Sequence, residues 1–251
     1  MRSTLSIISL LLMFAATLAA DTDGTALVAQ RAAPFSEFHF VRLIYTAVPQ
    51  SREERWYTDA PAAERHLMEG VRRLSRINAA EGATYFDILD PALFDHPWVY
   101  AVEVGGWLLS EREAARLRDY LLRGGFLVVD DFHGTNEWAT FIASMRRVFP
   151  DRPIVEIPAN DSVFHLTFDL DDHIQIPGSA ALYRGVTYEY DGYQPHWRGI
   201  YDDQGRLMVV INFNMDLGDS WELADDPGYP VHYTASGYRY AINYMVYAMT
   251  H

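Results

Sequence analysis

Residues 110–134, "SEREAARLRDYLLRGGFLVVDDFHG", constrain the fold more than any other stretch of the chain. Ser110 and Glu113 have the S-x-x-E spacing of a capping box, so a helix begins here. Ala114, Leu117, Tyr120 and Leu121 then fall on one stripe at spacings of three and four. Gly124 stands just past the stripe, where a helix stops most cheaply in a left-handed residue. "FLVVDD" follows as an unbroken apolar run, the pattern of a strand covered on both faces in a parallel sheet. Gly124 and Gly125 precede this strand, so they read as helix-stop residues and not as a phosphate loop.

The same alternation extends on both sides. "FHFVRLIYT" (38–46), "ATYFDIL" (83–89) and "WVYAVEVGG" (98–106) read as strands. Between the first two, Leu67, Val71 and Leu74 mark a helix, with Asp59 and Pro61 at its start. "NEWATFIASMRRVFP" (136–150) reads as a helix stopped by Pro150, and "PIVEIP" (153–158) as a further strand. Strand–helix alternation from 38 to 158 predicts an α/β three-layer sandwich with a mainly parallel central sheet. After Pro158 the pattern changes. "VTYEYDG", "WRGIYD" and "LMVVINFN" predict a β-rich C-terminal extension, whose last strand is placed to join the main sheet. "SGYRYAINYMVYAMT" closes the chain as a helix with Ala241, Tyr244, Met245 and Ala248 on one face.

Residues 1–20 have the layout of a secretory signal peptide: Arg2, an apolar core, and small residues Thr17 and Ala19 before a cleavage point. An uncleaved N-terminal anchor is the alternative. Residues 21–35 read as a linker, leaving 36–251 as a single domain large enough for a sizeable core. The expected location is therefore periplasmic or extracellular, without a membrane span once the leader is cleaved. The chain has no cysteine, so neither disulfides nor a cysteine nucleophile enter its chemistry. Its 34 acidic against 20 basic residues, a net charge of −14, disfavour nucleic acid and anionic membranes as partners.

In an open parallel sheet, ligands bind beyond the carboxyl ends of the strands. That rule gathers Trp56 and Asp59 after the first strand and Gly105, Gly106 and Trp107 after the third. It adds Asp131 and His133 after "FLVVD", and Asp216, Asp219, Trp221 and Glu222 after "LMVVINFN". A carboxylate-rich cleft rimmed by tryptophan is the expectation. The candidate ligand-binding residues are Trp56, Asp59, Asp131, His133 and Asp216; the candidate catalytic residues are Asp131, Asp59 and His133. Asp131 with Asp59 or Asp216 would suit carboxylate acid–base hydrolysis, which needs two carboxyl groups about 5 to 9 Å apart. Asp130, Asp131 and His133 offer oxygen and nitrogen ligands for Mg²⁺, Mn²⁺ or Zn²⁺. However, alternation along a strand aims Asp130 and Asp131 apart. No metal site and no cofactor are therefore assigned from sequence. Each carboxylate also has a structural reading, as a cap for the following helix or loop amides.

"FHFVRLIYT", "WYTDAP", "LSEREAARLRDYLLRGGFLVVDDFHG", "DDQGRLMVVINFNMDLGDSWE" and "YRYAINYMVYAMT" resemble, in that order, the bacterial domain of unknown function 4159 family, over residues 36–250. That family is similar in fold to class I glutamine amidotransferase-like (flavodoxin-like) domains, including their trehalose-utilisation branch. In amidotransferases the strand corresponding to "FLVVDD" leads to a cysteine nucleophile; here Asp131, Phe132 and His133 occupy the turn. The resemblance therefore implies the fold and removes glutaminase activity, and it carries over no catalytic residue. The leading functional expectation is a small polar ligand, carbohydrate among the candidates, bound at the strand ends. A carboxylate- or metal-dependent hydrolase and a non-catalytic envelope scaffold are the alternatives.

Overall fold

A central strand flanked by strands on both sides and by helices above and below sets the architecture. In this computed structural model, which describes residues 37–48 and 55–251, that strand is "FLVVD". Every one of its five residues, Phe126–Asp130, is buried. The signal peptide, the linker and part of the "AVPQSREERWYTDAP" connection lie outside the described residues.

The elements run β1 (Phe38–Ile44), α1 (Ala62–Leu74), β2 (Ala79–Asp87), β3 (Trp98–Val102), α2 (Glu111–Leu122), β4 (Phe126–Asp130) and α3 (Gly134–Val148). Then follow β5 (Val155–Glu156), α4 (Ser179–Tyr183), β6 (His196–Tyr201), β7 (Leu207–Phe213), α5 (Leu217–Glu222) and α6 (Val231–Thr250). The seven strands form one sheet in the order β2-β1-β3-β4-β7-β6-β5. β1 to β4 and β7 are parallel, while β6 and β5 are antiparallel to their neighbours.

Each face of the sheet has its own core. On one side α1 buries Leu67, Met68 and Val71, and α6 buries Tyr240, Tyr244 and Met245. On the other, Ala114, Leu117 and Leu121 of α2 join Phe141, Met145 and Val148 of α3. Alternate residues of β4 serve the two sides, Phe126 and Val128 the first, Leu127 and Val129 the second. Ser110 and Glu113 cap α2 reciprocally, and Gly124 leaves it at φ +109°.

Several sequence expectations change. "PIVEIP" is not a parallel strand: β5 has two residues and pairs antiparallel with β6 at the sheet edge. "VTYEYDG" is not a strand, and residues 186–192 form loop and turn. Of the expected β-rich extension, "LMVVINFN" joins the main sheet as β7, and "WRGIYD" extends the same sheet beside it as β6. β7 is buried throughout and lies parallel to β4, so the strand expected from "LMVVINFN" does join the main sheet. "LGDSWE" forms a short helix too brief to show periodicity. Leu74, counted on the apolar stripe of α1, is 60% exposed at the helix end. No helix among the described residues is long and apolar enough to cross a membrane.

Candidate functional site

The carboxyl ends of β1, β3, β4 and β7 open into one cleft of about 560 Å³. β1 connects to β2 on one side, while β3, β4 and β7 succeed one another on the other. The cleft therefore stands where strand order reverses, the position at which open α/β sheets bind ligands.

Its residues come from loops held by local geometry. Asp59 precedes α1 at φ +65°, Glu103 ends β3 at φ +53°, and Asp131 ends β4 at φ +52°. Tyr190, in the loop after α4, has φ +47°, and Asn214, just past β7, has φ +63°. These five are all the non-glycine residues with positive φ among the described residues. Four of them line the cleft. The fifth, Asn214, braces it: its Oδ1 accepts from Gly134 N at 2.9 Å, and its Nδ2 donates to Gln194 O at 2.7 Å. Such backbone conformations are costly for side-chain-bearing residues and concentrate at functional sites.

Asp59, Asp131 and Asp216 converge. Each presents a carboxylate oxygen within 4.8 Å of the other two. A second trio, Asp59, Asp219 and Glu222, meets the same limit. Asp216 is the N-cap of α5, its Oδ1 accepting from Asp219 N at 2.7 Å. Gly178 makes room for this grouping. A Cβ there would lie 2.8 Å from Asp216 Oδ2, 3.1 Å from Glu189 Oε1 and 3.4 Å from Asp219 Oδ2. The Oδ2 atom of Asp59 is buried without a hydrogen-bond partner.

The electrostatics follow from crowding like charges out of water. Burial raises the carboxyl groups of Asp59, Asp131 and Asp216 well above the ordinary range. Neighbours raise them further: Asp219 acts on Asp59, Glu103 on Asp131, and Asp131 on Asp216. Burial lifts Glu103 to about 7 although Arg55, 2.5 Å away, pulls it down; Glu137 and Glu189 add to the rise. Arg55 also reaches Glu137 at 3.7 Å and is the only guanidinium lining the cleft among the described residues, against seven carboxylates.

His133 is 4% exposed, and burial lowers its pKa to about 4, so the ring is neutral at physiological pH. Its Nε2 lies 3.1 Å from Asp131 Oδ1. A neutral ring donating from Nε2 carries its lone pair on Nδ1, which has no partner among the described residues.

Asp130 has a different environment. It is fully buried, and its Oδ2 accepts from Tyr100 Oη at 3.0 Å, Leu217 N at 2.8 Å and Gly218 N at 3.1 Å. It thus fastens the start of α5 to the sheet and does not line the cleft. Burial pushes it up to about 7, while these hydrogen bonds hold it down.

Four of the five residues expected to bind ligand, Asp59, Asp131, His133 and Asp216, line the cleft. Trp56 does not: its ring packs edge-on against Tyr57 and Tyr85 and leans on the core beneath α2 and α3. Trp107 stacks on Phe141, and Trp221 is buried against Phe40 and Tyr100. The expected tryptophan rim is absent, because these large rings are worth more in the two cores. Tyr190 supplies an aromatic wall instead. Glu103, Glu137, Glu189 and Arg55 complete the lining beyond the residues expected from sequence. Glu103 was legible as a carboxylate closing a strand; Glu189 and Tyr190 sit in an irregular loop with no local signal.

The model of a protein family described as "Domain of unknown function (DUF4159)" matches residues 39–249. The chain belongs to this family. The match runs from β1 into the last turn of α6, so the cleft lies within the family's domain, as do both cores apart from Phe38. No curated protein matches the sequence.

Proposed function

We propose that the cleft binds a small polar ligand through a divalent cation held by Asp59, Asp131 and Asp216. The observation that carries this is the convergence of their carboxylate oxygens within 4.8 Å. Three anionic oxygens at that spacing repel one another, and a hard cation converts the repulsion into coordination. An all-oxygen set suits Mg²⁺, Mn²⁺ or Ca²⁺. The raised carboxyl groups and the buried, unpartnered Asp59 Oδ2 support this reading, since a cation would offset both the repulsion and the missing contact.

The finer fold reading is a class I amidotransferase-like domain. β4 runs into a left-handed turn at Asp131 and then into α3, the strand–turn–helix placement where that class carries its nucleophile. With no cysteine in the chain, glutaminase chemistry is not part of the proposal. The leader motif supports export to the periplasm or cell exterior.

Hydrolysis is the second reading, favoured by Glu103. A carboxyl group at about 7 on the cleft wall is matched to proton transfer near neutral pH. Thermal-shift and calorimetric titrations with Mg²⁺, Mn²⁺ and Ca²⁺ test the binding site. A bound cation stabilises the folded state, by about 2.7 kcal/mol at one hundred times its Kd. Asp131→Asn should abolish the shift. No response to any of the three cations, or an equal response in the variant, sinks the proposal. Cation-dependent turnover on a glycoside and ester panel, lost in Glu103→Gln, would establish the hydrolase reading.

A further inference from the structure

The loop carrying Tyr190 is built to hold one aromatic ring in the open. Tyr190 is 69% exposed, yet its backbone is at φ +47°, a conformation rare for a bulky residue. Fixed anchors maintain it. The carboxylate of Asp191 accepts from Thr135 N at 2.9 Å and from Thr135 Oγ1 at 2.8 Å, at the start of α3. Gly192 N donates to Glu189 O at 2.8 Å, closing the turn, and Gln175 Nε2 donates to Gly192 O at 2.9 Å. Gly134 is bare where a Cβ would lie 3.2 Å from Tyr190 Cβ, so this loop packs directly on the turn that follows Asp131. Exposed tyrosines are concentrated here: Tyr183 is 88% and Tyr193 59% exposed, and Tyr193 meets Tyr188 edge-on at 4.6 Å.

The chemistry beneath the ring narrows what fits. Carboxylates accept hydrogen bonds and donate none when ionised. A ligand reaching past Tyr190 to Glu137 and Glu189, beside the cation-holding carboxylates, is therefore favoured when rich in donors, while the tyrosine face favours an apolar surface. A saturated sugar ring has both: hydroxyl donors around its edge and a C–H face. We infer that Tyr190 is a stacking residue for a pyranose ring, and that the polar ligand of this cleft is a carbohydrate. This rests on the cleft being a ligand site, as proposed above, and specifies its ligand class.

The test titrates the full chain with maltose, cellobiose, lactose and N,N′-diacetylchitobiose, followed by saturation-transfer NMR and calorimetry, with Mn²⁺ and with EDTA. Tetramethylammonium and spermidine form the amine arm, because an aromatic ring over carboxylates would also attract an organic cation. The expectation is that at least one sugar binds. Tyr190→Ala should weaken it roughly tenfold or more, and Tyr190→Phe should leave it nearly unchanged, since the ring face is kept. Mn²⁺ affinity should be equal in all three proteins. Mn²⁺ binding with no sugar binding overturns the sugar assignment and leaves the cation site standing, as does binding confined to the amines. Sugar binding that survives Tyr190→Ala overturns the role of Tyr190. Sugar binding in EDTA that depends on Tyr190, with no Mn²⁺ affinity, supports this inference while removing the cation.

Discussion

Asp130 and Asp131 are neighbours in sequence with separate tasks: Asp130 accepts hydrogen bonds from Leu217 N and Gly218 N inside the core, while Asp131 faces the cleft and His133. The strand ends between them, and Asp131 takes the left-handed turn that follows.

Substitution should separate the two tasks. Asp130→Ala strands three donors, Tyr100 Oη, Leu217 N and Gly218 N, and should cost about 3 kcal/mol or more in denaturant unfolding. Asp131→Asn removes a charge from a repelling group. It should leave the cation-free protein as stable or about 1 kcal/mol more stable at pH 8, and eliminate the stabilisation by divalent cations. Equal destabilisation by the two substitutions would contradict this division.

Gly178 should be intolerant for a reason unrelated to backbone freedom, since its φ of −65° is ordinary. A methyl group there would crowd Asp216 Oδ2 and Glu189 Oε1. Gly178→Ala should lower stability by about 1–3 kcal/mol, as overpacking does. It should also weaken Mn²⁺ binding measured by calorimetry, because the displaced oxygens include one belonging to a proposed ligand.

Stability without cations should fall as pH rises. Glu103 titrates at about 7 in the folded chain, against about 4.3 when unfolded. The folded state therefore holds its proton more tightly. The associated stability is fully present below the unfolded value and is lost as pH passes through 7. Raised Asp59, Asp131 and Asp216 act in the same direction as Glu103 and together outweigh buried His133, whose lowered pKa opposes them, so the melting temperature measured in EDTA should decline between pH 5 and pH 8. Glu103→Gln should flatten that decline by on the order of 2 kcal/mol. An unchanged slope in the variant would assign the loss to other groups.

Ser110→Ala provides a control remote from the cleft. Its hydroxyl accepts from Glu113 N at 3.2 Å, and Glu113 Oε2 accepts from Ser110 N at 2.7 Å. Breaking this capping box should cost about 1 kcal/mol in chemical denaturation and leave cation affinity at the wild-type value.

The features legible in the sequence were local ones. The capping box at Ser110, the stop at Gly124 and the buried run of β4 were legible because each depends on residues within a few positions of one another. The rule for open sheets then gathered Asp59, Asp131, His133 and Asp216, since strand ends were visible even where strand order was not. Long-range packing set the remainder. It placed β7 beside β4, reversed β5 and β6, and drew Trp56, Trp107 and Trp221 into packing against other rings. It also brought Glu189 and Tyr190 over the end of β4 through Asp191 and Thr135, residues 56 positions apart. Contacts across such distances depend on how whole layers pack, and no short window of sequence contains both partners.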